Sequence, residues 1–109
     1  MEDEFLIVFC TFPNLEIARR VIIHLVEHRL IACGNILPEV ESIYWWKEKI
    51  ECAPEVAAIL KTTRSTFSRL ESTFKELHPY EVPELVATQI TQGLPRYLSW
   101  ISENVDSPH

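Results

Sequence analysis

Residues 78–84 form a short segment, HPYEVPE, that concentrates several chemically useful side chains. Its two prolines, Pro79 and Pro83, each fix φ and remove a backbone hydrogen-bond donor, so neither a helix nor a regular strand can continue through it. The segment is therefore predicted to be a rigid, extended connector. Its imidazole, phenol and two carboxylates could line a binding site, or they could hold the connector against the rest of the protein.

The elements that must position this connector begin with a predicted strand over residues 5–12 (FLIVFCTF), which is rich in β-branched and aromatic residues. Apolar side chains fall on both faces of this strand, which is typical of a central strand in a covered sheet. Pro13 ends the strand, and Asn14 is a favourable N-cap for the next element. The apolar spacing that follows predicts an amphipathic helix over 15–30.

A long hairpin is predicted in the middle of the chain. Residues 33–51 are strand-like, are interrupted by Pro38, and contain the strongly β-prone run 43–46 (IYWW). The polar residues 47–49 could turn the chain into a second strand from about 50 to 62. This turn lacks the Asn-Gly or Asp-Gly pair that marks tight hairpins.

Three further elements complete the chain. A second amphipathic helix is predicted over 65–77 and ends before Pro79; a strand follows over 85–91, and a last helix begins at Pro95. The order strand, helix, strand, strand, helix, strand predicts an α+β fold with a ferredoxin-like βαββαβ antiparallel sheet and an added C-terminal helix.

The predicted fold leaves one sheet face without helices. Right-handed crossovers put both main helices on one face of the sheet. The first strand is nevertheless apolar on both sides, and the aromatic side chains of 44–46 cannot all enter one core. Soluble monomers rarely leave such a patch in water. We therefore expect an oligomer in which sheets pack against sheets.

The composition of the chain argues against nucleic-acid-binding, membrane-spanning and secreted proteins. The chain has 109 residues and a formal net charge of −6, and its basic residues are scattered, which argues against a nucleic-acid partner. No apolar run is long enough for a membrane span. The acidic start of the chain (MEDE) is unlike a secretory signal, and three cysteines form an odd set without metal-finger spacing. We expect a single domain over 1–109, ordered over about 4–104, in the cytoplasm.

The chain resembles the CutA divalent-cation-tolerance family over residues 4–102. The matching segments are ACGN at 32–35, SIYWWK at 42–47, LKTT at 60–63, HPYEVPE at 78–84 and YLSW at 97–100. The resemblance implies a homotrimer similar to the PII signalling proteins, which bind small ligands in clefts between subunits. It also implies an association with tolerance of copper and other divalent cations.

One candidate site is a metal site. Thiolate and imidazole are suitable ligands for copper or zinc, and the family's proposed copper ligands correspond to Cys10 and His78. Glu81 could add an oxygen donor. Some family members carry a second histidine where this chain has Leu77. The alternatives are that Cys10 is a small buried apolar group and that His78 interacts with the end of a helix.

The other candidate site is a cleft between subunits that binds a small molecule. Aromatic walls, one cation and carboxylates suit a polar cleft, and the candidate residues, besides Glu81, are Tyr44, Trp46, Lys61, Tyr80 and Glu84. The alternative is that the aromatic residues only pack in an interface and that Lys61 pairs with Glu81 or Glu84.

Enzyme functions are disfavoured. The two glycines, Gly34 and Gly93, do not form a phosphate-cradling loop. Nothing indicates the low thiolate pKa that a Cys10–His78 nucleophile pair would need. The resemblance to CutA proteins then implies a trimeric binding module, without catalysis, that responds to divalent metal ions, copper first. The alternatives left open are a PII-like small-molecule sensor and a structural trimer that anchors a partner protein.

Overall fold

The computed structural model describes residues 4–106, so the outermost residues of the predicted domain lie outside the described part of the chain. The elements are β1 (Phe5–Phe12), α1 (Leu15–Glu27), β2 (Cys33–Trp46), β3 (Lys49–Thr63), α2 (Arg64–Leu77), β4 (Leu85–Gln89) and α3 (Pro95–Glu103). None of the helices in residues 4–106 has the length and apolar character needed to cross a bilayer.

The four strands form one antiparallel sheet in the order β2-β3-β1-β4. This is the strand order of the ferredoxin-like βαββαβ arrangement, which confirms the fold class expected from the sequence. β1 lies in the centre of the sheet between β3 and β4. β2 and β4 are the two edge strands of the subunit.

The core lies between the sheet and the pair α1 and α2. Alternate residues of β1 point into it, and the most deeply buried of these are Val8, Cys10 and Phe12. α1 and α2 contribute the residues that their helical spacing put on one face, including Leu25 and Phe74. Asn14 caps α1 as expected, because its side chain accepts a hydrogen bond from the Ile17 backbone N–H at 2.9 Å.

The opposite face of the sheet, here called the open face, is only partly covered. α3 covers one end, where Ile101 is fully buried against Phe5 and Ala32. Farther along, Phe9 on β1, paired with Val86 on β4, remains 39% exposed. The apolar open face predicted from both sides of β1 is therefore present in the subunit.

The β2–β3 hairpin extends well beyond the other strands. β1 pairs with β3 only over Val56–Thr63, so residues 40–55 form a two-stranded projection, here called the arm. A β-bulge between Leu37 and Val40 marks its base, at the proline predicted to interrupt the strand. The subunit is accordingly elongated, with extents of 45 × 26 × 23 Å.

Two predicted boundaries are corrected by the structure. α1 ends at Glu27 and not near residue 30, because Arg29 takes a positive φ of 58° and the Leu30 N–H donates to the Leu25 carbonyl at 2.9 Å. This is a Schellman-type end without the usual glycine. β4 ends at Gln89 and not at 91.

Candidate functional site

The connector, residues 78–84, contains neither helix nor strand, as predicted. α2 ends at Leu77, and the backbone N–H of His78 donates to the Phe74 carbonyl at 2.9 Å. The backbone of His78 is extended, with φ −81° and ψ 136°, which is the conformation favoured before a proline. Pro79 therefore fixes the direction in which the chain leaves α2.

The His78 ring holds the connector in place. It is buried between the rings of Phe12 and Phe74, at centroid distances of 5.2 and 5.1 Å. His78 Nε2 lies 2.7 Å from the Thr11 carbonyl oxygen, and the Tyr80 N–H lies 3.1 Å from His78 Nδ1. A carbonyl only accepts and a backbone N–H only donates, so Nε2 carries the proton and Nδ1 accepts. Burial lowers the pKa of His78, which favours this neutral ring.

Cys10 is a buried thiol of the core. Only 1% of the residue is exposed, and Sγ lies 3.9 Å from the Ala58 carbonyl oxygen. Burial, reinforced by the negative charge of Glu84, raises the pKa of the Cys10 thiol to about 12. Since the thiolate is the form that binds metals, Cys10 remains a protonated, unreactive group near neutral pH.

The predicted metal ligands therefore fit a metal ion poorly in this subunit. A metal at His78 would have to replace one of the two hydrogen bonds of its ring, and a metal at Cys10 would have to displace its proton. Within residues 4–106, no three or more His, Cys, Asp or Glu side chains are grouped so that they could hold an ion. Glu81, which is exposed on the connector, is the member of the predicted set that remains available.

A groove of about 780 Å³ runs between the connector and the arm. It brings together four of the predicted cleft residues, Tyr44, Trp46, Tyr80 and Glu84, with the predicted metal ligand Glu81. The described residues that line it are Thr11, residues 42–46, Glu55, residues 79–82 and Glu84. The connector supplies one wall because the prolines hold it extended, and the base of the arm supplies the other.

Glu55 is a buried carboxylate in this groove that sequence reasoning misses. Only 7% of the residue is exposed, and its Oε2 accepts a hydrogen bond from the Tyr80 hydroxyl at 2.5 Å. Burial, together with this contact, raises the pKa of the Tyr80 phenol. The signal in the sequence is weak: a single carboxylate stands between Pro54 and the apolar run that begins at Val56. Only the folded hairpin shows that it faces the connector.

The groove is acidic and aromatic. Among residues 4–106, three carboxylates and four aromatic side chains line it, without any Lys, Arg or His. The ion pairs of the described residues join Arg64 to Glu4 and Arg69 to Asp106, away from the groove. Lys47 on the arm extends its Nζ over the ring of Trp46 at 5.6 Å from the centroid. This groove would attract a cation and repel an anion.

Lys61 does not join the other predicted cleft residues within the subunit. Its Nζ donates to Asn35 Oδ1 at 2.5 Å, between neighbouring strands. The alternative in which Lys61 pairs with Glu81 or Glu84 is therefore wrong for the subunit. Lys61 therefore contributes no positive charge to the groove.

Comparison with known proteins gives consistent matches. The family model described as CutA1 divalent ion tolerance protein matches residues 6–104. The divalent-cation tolerance protein CutA of Thermus thermophilus is 44% identical over 98 residues, which are 90% of this chain and 95% of that protein. The crystal structure of CutA1 from Oryza sativa superposes with a TM-score of 0.93 at 34% identity, over 96% of each chain.

A third relative carries a location in its name. The structure of the periplasmic divalent cation tolerance protein CutA from Archaeoglobus fulgidus superposes with a TM-score of 0.90 at 38% identity. The match covers 94% of this chain and 99% of that one. The agreement in sequence and fold thus extends over nearly all described residues.

Proposed function

The chain belongs to the CutA1 family of divalent ion tolerance proteins, and we propose on this basis that it is a homotrimeric binding module, without catalytic activity, that takes up divalent cations in the groove. The observation that carries this proposal is the lining of the groove, which among residues 4–106 contains three carboxylates and four aromatic rings but no basic side chain.

The surface of the arm supports the assembly. Ile43, Trp45 and Ile50 are 64%, 71% and 61% exposed, and an isolated two-stranded hairpin is marginally stable in water. Both edge strands of the sheet, β2 and β4, are unpaired on one side, so a further copy can extend the sheet and cover the arm. The number three is taken from the resemblance to CutA proteins.

The cation is assigned to Glu81 and Glu84. Both carboxylates are exposed, and in the sequence one precedes Pro83 and the other follows it. Carboxylate oxygens are suitable ligands for divalent ions that keep part of their water shell. Copper, the ion first expected, would share this site. Cys10 and His78 are not assigned as contacts, because binding there would require loss of a proton from a thiol with a pKa of about 12 and of a hydrogen bond from the ring.

Calorimetric titration tests this assignment. Cu²⁺ and Mn²⁺ are titrated into the wild type, the double variant Glu81→Gln/Glu84→Gln and the single variant Cys10→Ser. The double variant should bind Mn²⁺ at least about tenfold more weakly, because a charged contact contributes roughly 1.5–3 kcal/mol. Cys10→Ser should leave the heats unchanged.

A matched control separates the site from the overall charge. Glu71→Gln/Glu76→Gln removes the same two charges from the exposed surface of α2 and should bind as the wild type does. If both double variants bind Mn²⁺ equally, or if Cys10→Ser abolishes the heats, the assignment to the groove is wrong.

A second candidate function is a PII-like sensor of a small molecule at the inter-subunit cleft. The four aromatic side chains favour it, since they offer ring faces for a flat or cationic ligand. The absence of a basic side chain from the lining favours an organic amine over a nucleotide. Thermal-shift screening with matched sets of amines and nucleotides should show stabilisation by amines only.

The cellular location stays a prediction. Three unpaired cysteines are compatible with a reducing cytoplasm, and we propose that location for this chain. The relative from Archaeoglobus fulgidus is named periplasmic, so the family name alone does not decide the compartment.

A further inference from the structure

A pair of histidines lies on the helical side of the molecule, away from the groove. His24 is in the last turn of α1, and His28 is its C-cap residue. Residues four apart lie on the same face of a helix, and the two rings stack with a centroid distance of 4.0 Å and an interplanar angle of 22°. Two imidazoles are therefore presented together at one end of α1.

The hydrogen bonding of the pair leaves nitrogen lone pairs available. His28 Nδ1 lies 2.9 Å from the His24 carbonyl oxygen, and because a carbonyl only accepts, Nδ1 must carry the proton. The lone pair of His28 is then on Nε2. Neither ring nitrogen of His24 has a hydrogen-bond partner among residues 4–106, so this ring can rotate to bring a nitrogen towards that of His28.

The surroundings favour a cation. The rings open onto a depression of about 380 Å³ between α1 and α2, which the hydroxyl groups of Ser68, Ser72 and Thr73 also line. The C-terminal end of α1 carries the negative end of the helix dipole. Among the described residues of the lining, Arg69 is the only one with a fixed positive charge, and its guanidinium donates to the Asp106 carbonyl at 2.9 Å.

We propose that His24 and His28 chelate a borderline transition-metal ion, Cu²⁺ in preference to Ni²⁺ or Zn²⁺, at a site separate from the groove. Imidazole nitrogen suits these ions, and their order of affinity follows the general trend for divalent metals. Water completes the coordination, with the hydroxyls of α2 as hydrogen-bond partners. Two protein ligands give an open, exchangeable site and not a closed structural one.

This site would supply imidazole nitrogen donors, whereas the groove offers oxygen donors. Cys10 and His78 are occupied within the fold. His24 and His28 are the histidines that the described residues leave available for copper. The inference does not depend on the groove being a cation site, and it can be tested separately.

Electron paramagnetic resonance with Cu²⁺ alone tests the proposal on the full-length protein. The wild type should give a spectrum with two coordinated nitrogens at the first equivalent of Cu²⁺. His24→Ala and His28→Ala should each lose this spectrum and weaken binding by roughly 10²-fold, because the second ligand acts at a high effective concentration once the first has bound. An unchanged spectrum in both variants would overturn the proposal.

A transposed variant is the matched control. Val26→His/His28→Val keeps the number of histidines but puts them two residues apart, on opposite faces of α1. Val26 is already 41% exposed, so the exchange should not affect the core. This variant should bind Cu²⁺ as weakly as the single variants; binding as tight as in the wild type would show non-specific histidine binding and contradict chelation.

The groove variant distinguishes the two sites. Glu81→Gln/Glu84→Gln should retain the two-nitrogen spectrum even when its binding of Mn²⁺ is weakened. Loss of that spectrum in the groove variant would mean that copper is not held by His24 and His28, and the proposal would fall while the groove assignment stood.

Discussion

His78 contributes to the fold by keeping its ring neutral. Its Nε2 donates to the Thr11 carbonyl and its Nδ1 accepts from the Tyr80 N–H, so the ring joins β1, α2 and the connector. Protonation would place a second ring N–H, on Nδ1, against the Tyr80 N–H, so the hydrogen bond between them would be lost. The position of one groove wall therefore depends on the protonation state of this residue.

This dependence predicts a pH effect on stability. The pKa of His78 is lowered from 6.5 by burial, so on acidification below pH 6.5 the unfolded chain binds the proton before the folded one. The free energy of unfolding should therefore fall as the pH is lowered, by at most about 1.4 kcal/mol per pH unit from this residue. His78→Gln keeps a donor for Thr11 but does not titrate, and it should lack this component.

Urea unfolding at fixed subunit concentration, from pH 7.5 down to pH 5, measures the free energy of unfolding of the wild type and of His78→Gln. The stability curves of wild type and His78→Gln should converge as the pH falls. Parallel curves would show that the folded protein accepts the proton on His78 without cost, and the two-bond account of the ring would be wrong.

The cysteines should differ sharply in reactivity. Cys52 is exposed, whereas Cys10 is buried with a pKa of about 12, so roughly one Cys10 in 10⁴ is thiolate at pH 8. A thiol reagent should label Cys52 quickly and Cys10 only on unfolding. Cys52→Ser should remove the fast phase, while Cys10→Ser should keep it; the reverse result would indicate an accessible thiolate at Cys10.

The turn of the arm, between β2 and β3, is strained. Lys47 and Glu48 both have positive φ, 49° and 66°, between the paired residues Trp46 and Lys49. This two-residue turn is of the type for which Asn-Gly is preferred. Ordinary side chains are unfavourable in that conformation.

Replacing the turn should therefore stabilise the protein. Lys47→Asn/Glu48→Gly is expected to raise the free energy of unfolding by roughly 1 kcal/mol, reduced somewhat by loss of the contact between Lys47 and Trp46. Lys49→Asn, directly outside the turn, should give no gain. Equal urea midpoints for the turn variant and the wild type would indicate that the strain is relieved in some other way.

Periodicity predicted the elements well because it reflects burial directly. The bounds of β1 agree with the sequence, and α2 ends at Leu77 because Pro79 follows. Periodicity alone predicts a later end of α1, because Arg29 adopts a conformation for which the sequence has no glycine signal. The local sequence therefore predicts the position of an element well. It predicts the end of the element less well when no proline or glycine marks that end.

The candidate site was less predictable because it is formed by contacts distant in sequence. Sequence motifs predict the other aromatic and acidic residues of the groove, but Glu55 approaches Tyr80 only after β3 has paired with β2. The chemistry of Lys61 alone predicts that it joins them, whereas its Nζ donates to Asn35 in the structure. His78 has the chemistry of a ligand, yet its surroundings use both of its nitrogens.

The arm and the open face leave apolar surface in water. Trp45 is 71% exposed on the arm, and Phe9 and Val86 lie uncovered on the open face. Large exposed apolar patches mark interaction surfaces, and aromatic side chains often dominate the energy of an interface. The exposure of apolar residues on both the arm and the open face is explained if copies of this chain cover one another.

A charge on the arm should therefore weaken the assembly. Trp45→Glu is expected to lower the assembled fraction at micromolar concentration, because a carboxylate would have to be buried without a partner. Lys49→Gln, which changes the charge on the arm by the same amount, should assemble as the wild type does. Size-exclusion chromatography with light scattering measures both; equal masses for Trp45→Glu and the wild type would exclude the arm from the interface.

Sedimentation equilibrium of the wild-type protein at micromolar concentration tests the proposed assembly, on which the proposed cleft between subunits depends. The subunit has a mass of 12.7 kDa, and three copies give 3 × 12.7, about 38 kDa, which is the mass expected for the homotrimer. A well-folded species that sediments at 12.7 kDa would contradict both the assembly and the cleft between subunits.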